Sequence, residues 1–265
     1  MNFNWVHWGD KMIKVERSEA PAKLTAEKVK ELTEEYKKTE KNVWNQDYIK
    51  KALLDMSNNK CIFCECRLGE ESKYIEVEHF HPKSKYPEEV VEWENLLPIC
   101  KRCNGLKRDH DTKLEPIINP TLIDPRKHLT IKKFRFFSKD DLGKKTISVL
   151  CLNDSDRLFL PRVKIGDAIS SILDSLGKWV DKIKFDHSVE DQNELISKMY
   201  NLLKSCQPNA EYSTICSYAL FEDDNYYEIK NFMQQVKIWD EDLSRLETNC
   251  LNYSLIEYGH LKSTV

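Results

Sequence analysis

The sequence predicts an α+β fold: a mostly helical chain with one small ββα unit embedded in its first half. Three observations carry this. Apolar residues at helical spacing recur before residue 58 and again beyond residue 154. Between them, two short β-rich segments precede a basic helical stretch. Two Cys-x-x-Cys pairs bracket those segments. The chain of 265 residues divides on this reading into a helical lead (1–58), a cysteine-clamped unit (59–113) and a small hairpin followed by helices (114–265).

Residues 1–24 show little periodicity and contain Pro21. From Thr25 to about Thr39, Val29, Leu32 and Tyr36 fall on one helical face, with Thr25 as N-cap. A second helix is expected over about 45–56, with the stripe Tyr48, Ile49, Ala52 and Leu53. "YIEVEHF" alternates and reads as a strand that Pro82 stops. "NLLPIC" reads as its partner, and "KRCNGLKRDH" as a helix opening near Lys101. Residues 114–125 form a proline-punctuated connector. "IKKFRFFS" and "KTISVL" suggest a hairpin around "KDDLGK". Helices are expected over about 155–184, 190–205, 210–221 and 225–256. Val236, Trp239, Leu243, Leu246 and Cys250 make a stripe in the last, read first as core and second as a docking face.

Composition bounds the function. The formal net charge is −3 and 32% of residues are charged, with a mean hydropathy of −0.61. No apolar run approaches the ~20 residues of a membrane span. The start "MNFNWVHWGDKM" lacks a basic region followed by an apolar core, so no secretory signal and a cytoplasmic protein are expected. Met1 and Met12 stand as two candidate starts. Overall charge makes no case for nucleic acid, but its distribution is uneven. Residues 101–113 carry five basic and two acidic side chains, and 126–145 carry eight and two.

Nine cysteines in a chain expected to be cytoplasmic argue against a disulfide framework. Cys151, Cys206, Cys216 and Cys250 read as small buried hydrophobes. The others cluster. Cys61-x-x-Cys64 and Cys100-x-x-Cys103 lie on either side of a 35-residue insert. Two matched pairs suit a closed tetrahedron of thiolates around a structural Zn2+. Such an ion would hold a segment with little core of its own. Cys66 is a spare that could substitute for Cys64. Buried thiols or a redox pair are the alternatives.

Inside the clamp sit Glu78-His79, then Asn95, then Cys103-Asn104-Gly105-x-Lys107. "VEHFHPKS…WENLLPICKRCNGLKRD" resembles the HNH endonuclease motif and its ββα-metal fold. The resemblance covers about residues 61–109. It implies that the zinc-clamped unit in this mostly helical chain is a ββα-metal (HNH) module that hydrolyses phosphodiester bonds. It also implies His79 as general base, Glu78 and Asn104 as holders of a catalytic Mg2+ or Mn2+, and Asn95 as the residue tying down the loop around His79. The residue chemistry agrees: a hard divalent ion takes carboxylate and amide oxygens, and a neutral imidazole can accept a proton from water. Two departures from the family pattern are plain. Glu78 stands where Asp is usual, and Asn104 takes the last position, giving an H-N-N version.

Strict alternation would put Glu78 and His79 on opposite faces of the strand, and His81 on the face of His79. His81 is therefore the rival base. Lys83, Lys85, Lys107 and Arg108 are candidates for phosphate contacts, against the reading of solvated surface; His81 is a candidate for a phosphate contact or simply stacks, and His110, at the end of the motif helix, could also approach the phosphate. The flanks "MIKVERSEAPAKL", "CIFCE", "EHFHPKS" and "LCLN…R" (150–162) resemble the HNH nuclease subunit of Septu-type and retron-associated anti-phage systems. That likeness implies an ABC- or SMC-like ATPase partner and a nucleic-acid substrate, DNA before RNA or tRNA. The chain has no GxxxxGK[ST] loop, so ATP dependence would come from the partner. A non-catalytic zinc scaffold is the rival class. It explains the cysteines and the basic runs but leaves Glu78, His79, Asn95 and Asn104 as coincidences.

Overall fold

The computed structural model describes residues 14–70, 74–186 and 188–255. The two candidate starts lie outside the described residues. Helix α1 (Ala26–Thr39) opens on Thr25, whose hydroxyl accepts from Lys28 N at 3.2 Å. Helix α2 (Asp47–Met56) buries Ile49 and Leu53 completely. Strands β1 (Ile75–His79) and β2 (Leu96–Cys100) pair antiparallel, with Glu78 opposite Leu97 and His79 opposite Leu96. Helix α3 (Lys101–Lys107) follows β2 without a loop. The lead helices and the ββα unit thus form as the spacing predicts.

β2 is the backbone of the unit because it is buried on both faces. Leu96 joins a core with α1, α2, Val77 and Val90. Leu97 and Ile99 join a second core with the cysteines. This core continues into strands β3 (Leu129–Lys132) and β4 (Arg135–Ser138) and reaches Ile215 and Tyr218. The segment before α1 is a strap across β2. Arg17 Nη1 donates to the carbonyls of Trp93 and Leu96 at 2.8 and 2.7 Å, and Trp93 Nε1 donates to Ser18 O at 2.7 Å.

Two expectations are corrected. The hairpin is "LTIK" with "RFFS", turned by Lys133 and Phe134 at φ 49° and 61°, the left-handed pair that a tight two-residue hairpin demands. "KTISVL" is instead part of helix α4 (Asp141–Val149), because Asp140 caps it, accepting from Gly143 N at 2.9 Å. Gly143 also lets α4 approach the hairpin, since a Cβ there would lie 2.2 Å from His128 O. The expected last helix is two, α8 (Asp224–Gln235) and α9 (Glu241–Asn252). Lys237 at φ 62° and the Asp240 cap on Leu243 N (2.8 Å) break it. Leu243, Leu246 and Cys250 are core, while Val236 falls in the break and is exposed.

Helices α5 (Leu160–Asp186), α6 (Val189–Ser205) and α7 (Ser213–Glu222) complete the chain with α8 and α9. α5 packs on α6, α7 and α8, and α6 on α9. The buried face of α5 runs Arg162, Gly166, Ile169, Leu173, Leu176, Val180 and Ile183, steps of three and four that keep one stripe inward. α7 is buried from Ser213 to Phe221 and forms the centre of this bundle. Cys206, Cys216 and Cys250 are buried as expected. Cys151 is not: it sits exposed at φ 44° in the turn after α4. Among the described residues no helix is long and apolar enough to cross a membrane.

Candidate active site and metal centre

The first Cys-x-x-Cys forms a tight knuckle. Cys61 N donates to Cys66 O at 2.9 Å and Glu65 N to Cys61 O at 3.0 Å, with Glu65 at φ 61°. Ile62 N donates to Pro98 O at 2.9 Å, tying the knuckle to the edge of β2. The second pair opens α3, where Cys100 Sγ accepts from Cys103 N at 3.5 Å. As a result the sulfurs of Cys61, Cys64, Cys100 and Cys103 all lie within 4.8 Å of one another. Cys64 and Cys100 are 3.7 Å apart. A tetrahedron with Zn–S bonds of ~2.3 Å has S···S edges of about 3.8 Å, so the four cysteines suit zinc. Cys66 packs into the core beside them and is not one of the four.

A cleft of about 660 Å³ opens against β1. Its lining includes consecutive residues Ile75 to His79, so it follows the edge of β1 that β2 leaves unpaired. This answers the alternation problem, because residues from both faces of a strand reach a cleft along its edge. Glu78 and His79 meet there with Asn104 of α3, Arg108 just past the end of α3, and Lys83 from the loop after β1.

The His79 ring is 5% exposed, and its Nε2 lies 2.9 Å from Val90 O. A carbonyl only accepts, so Nε2 carries the hydrogen and Nδ1 is the acceptor. Burial first, then repulsion from Lys83, holds this imidazole down to about 3, neutral at any ordinary pH. The ring also packs perpendicular to Trp44, centroids 4.6 Å apart.

Glu78 is 3% exposed, with Oε1 2.5 Å from Lys107 Nζ. Burial raises its pKa, and attraction to Lys107 works against that rise. Asn104 Nδ2 donates to Glu76 Oε2 at 2.7 Å. Because that carboxylate oxygen only accepts, the amide nitrogen must face it, and Oδ1 points away. Glu76 therefore belongs to the site, and sequence reasoning missed it. The signal was there, since Glu76 and Glu78 are two apart on a strand and share a face. Trp44, Asn42 and Asn45 also line the cleft and were missed. They come from the turn between α1 and α2, where no periodicity marks them.

The other candidates are placed elsewhere. Asn95 is buried, accepts from His81 N at 2.7 Å and donates to the carbonyls of His81 and Glu89 at 3.1 Å each. It braces the loop after β1 rather than entering the cleft. His81 Nδ1 contacts Thr112 Oγ1 at 2.7 Å, and that hydroxyl donates to Phe80 O, so Nδ1 is the donor. The ring lies outside the cleft lining, next to Tyr86. His110 is tied to Glu115 O at 2.7 Å, and Lys85 to Asp111 at 3.3 Å. Lys107 is a correction to the phosphate-contact reading. Its side chain is wholly buried, paired to Glu78 and donating to His79 O at 3.0 Å. Of the basic candidates, Lys83 and Arg108 line the cleft.

A profile of the HNH endonuclease family matches residues 61–110, the span of the knuckle, both strands and α3. The Septu protein PtuB of Bacillus thuringiensis is 42% identical over 248 residues, 93% of this chain and 96% of that protein. The chain belongs to the Septu PtuB family. A second Septu protein PtuB, from Bacillus mycoides (strain KBAB4), is 27% identical over 200 residues, 60% of this chain and 66% of that one. No solved structure matches. In this PtuB-family chain the "LCLN…R" stretch has a structural role. Asn153 brackets Phe136 with two bonds of 2.8 Å, and Arg162 lies buried over the Phe136 ring and donates to Leu152 O at 2.7 Å.

Proposed function

We propose that the chain is a metal-dependent HNH endonuclease that hydrolyses nucleic-acid phosphodiester bonds, an effector of anti-phage defence that acts with an ATPase subunit in the cytoplasm. The observation that carries this reading is the fixed tautomer of His79. Its Nε2–H is engaged by Val90 O, leaving Nδ1 as the proton acceptor of a residue that lines a cleft with Glu76, Glu78 and Asn104. His79 Nδ1 takes the proton of an attacking water. Lys83 and Arg108 hold the substrate backbone through its phosphates. Asn95 keeps the loop after His79 in place.

The oxygen chemistry of Glu78, Asn104 and Glu76 suits a hard cation, Mg2+ or Mn2+, which would bind with the Asn104 amide turned so that Oδ1 rather than Nδ2 faces Glu76. Bound there, it would stabilise charge developing on the phosphate and leaving oxygen. The four cysteines fit a structural Zn2+ whose closed thiolate shell leaves no position for chemistry. The family resemblance puts DNA first as substrate, and supplies the defence role and the partner.

The test offers supercoiled plasmid and total tRNA to the purified chain, with and without the ATPase subunit, in Mg2+ or Mn2+. Metal-dependent cleavage that His79→Ala abolishes while keeping one bound zinc is expected. Loss of plasmid rather than tRNA supports DNA, and the reverse makes RNA the substrate. Cleavage of neither, under any combination, would leave a zinc scaffold as the better reading.

A further inference from the structure

We infer that Trp44, which lies outside the matched HNH segment, is a positioning residue of the cleft that holds both the His79 imidazole and the Lys83 ammonium. This rests on the nuclease reading above for its consequence, but not for its geometry. The His79 ring is anchored at one point, Nε2 on Val90 O at 2.9 Å. A single hydrogen bond leaves the ring able to rock about it, which swings Nδ1 across the cleft. Trp44 stands perpendicular to that ring at 88° with centroids 4.6 Å apart, and so removes the motion. The face of the same indole carries Lys83 Nζ 4.9 Å from its centroid. Lys83 is long and flexible, and this contact fixes where its charge enters the cleft.

Trp44 is itself held. Tyr36 of α1 packs against it at 5.8 Å, its carbonyl accepts from Gln46 N at 2.8 Å, and the neighbouring Val43 is buried in the lead-helix core. Core packing alone does not account for Trp44, because it is half-buried and lines the cleft together with Asn42 and Asn45. The helical lead thus contributes one wall of the site. The ββα segment alone lacks the group that aims its base.

The experiment compares Trp44→Leu and Trp44→Phe with the zinc-loaded wild type in single-turnover cleavage, after thermal melts have shown that the variants fold. Trp44→Leu is expected to lower the maximal rate roughly 10–100-fold and, by releasing Lys83, to raise KM as well, with Trp44→Phe restoring most of both. An unchanged maximal rate in Trp44→Leu, whatever happens to KM, would overturn the positioning of His79. A second readout needs no activity. In 15N-histidine spectra, with His79 assigned by His79→Gln, the wild type should show one tautomer with Nε2 protonated. Trp44→Leu should broaden or average that signal. If the signal stays sharp and unshifted, Trp44 does not position the ring. A wild-type chain that cleaves nothing would count against the nuclease reading, and the spectra would still decide this one.

Discussion

Replacing Lys107 by Met tests whether the cleft is built on a buried ion pair. The wild-type ammonium has no exposure, lies 2.5 Å from Glu78 Oε1, and donates to His79 O at 3.0 Å. Met keeps the length and volume of the side chain and removes the charge. Glu78 is then left buried without its counter-ion, a change that costs about 3–5 kcal/mol when one partner of a buried pair is removed. At ~2 cal/mol/K of unfolding entropy per residue over 265 residues, the loss lowers the melting temperature by roughly 5–9 °C. The sign with pH follows from Glu78. Burial already raises its folded pKa, and loss of Lys107 raises it further. Such a carboxyl takes up a proton on folding. Its favourable contribution is complete below the unfolded value of about 4.3 and is lost as pH climbs to the folded one. The deficit of Lys107→Met should therefore widen as pH rises above the unfolded carboxyl value. Thermal melts of both zinc-loaded proteins, run in parallel, measure that difference, and Lys107→Met combined with Glu78→Gln should recover most of it. A deficit under ~1 kcal/mol, or one that widens toward acid pH, refutes the argument.

Other outcomes follow from the same geometry. Burial and Lys83 hold His79 at about 3, so the single-turnover rate should show no inflection near the ordinary imidazole value, and a His79 15N signal that titrates near that value would contradict the assignment. Gly166→Ala sets a Cβ 2.2 Å from the Phe134 ring, and the overpacking should cost about 1–3 kcal/mol in urea melts. Glu65→Ala removes the carboxylate that accepts from Thr214 N and Oγ1 at 3.0 and 2.9 Å; a loss of about 1–3 kcal/mol is expected, and no loss would show the contact to be unimportant. Cys66→Ser should keep one zinc per chain, whereas Cys64→Ser should lose it, as metal analysis after gel filtration will show.

The legible parts of the fold are those where one local signal decides. Thr25 with the spacing of Val29, Leu32 and Tyr36 marks α1, because a cap and a stripe agree. The cysteine pairs mark both ends of the ββα unit for a chemical reason independent of secondary structure. The misplaced hairpin fails on a tertiary decision. Lys133 and Phe134 adopt left-handed backbone with neither Asn nor Gly, an arrangement accompanied by Phe134 packing against Gly166 of a helix about thirty residues later. In the site, Glu78, His79 and Asn104 were readable as a constellation of donor chemistry. Glu76 was readable from strand period alone. Trp44 was not, since its contacts with His79 and Lys83 join a turn to a strand and a loop 35 and 39 residues away, and no local pattern encodes them. Lys107 was expected to contact phosphate because a lysine in a basic run faces solvent by default, and only the packing shows that Glu78 waits beneath it.

The seven-residue helix α3 links the two metal-suited regions mechanically. Cys103 in its first turn reaches the thiolate cluster, Asn104 beside it faces Glu76 in the cleft, and Lys107 at its end pairs with Glu78. A helix this short does not hold itself together in water. Its position therefore depends on the anchor at Cys103, and the placing of Asn104 and Lys107 depends on it in turn. The bundle of α5 to α9 has a separate core and needs no such anchor. Chelating the structural metal should thus abolish cleavage while far-UV circular dichroism keeps most of its helical signal, and adding back zinc should restore activity. A bundle that melts together with the thiolate site would show instead that the Glu65–Thr214 joint transmits the loss into α7, and that the clamp stabilises the whole chain rather than the cleft alone.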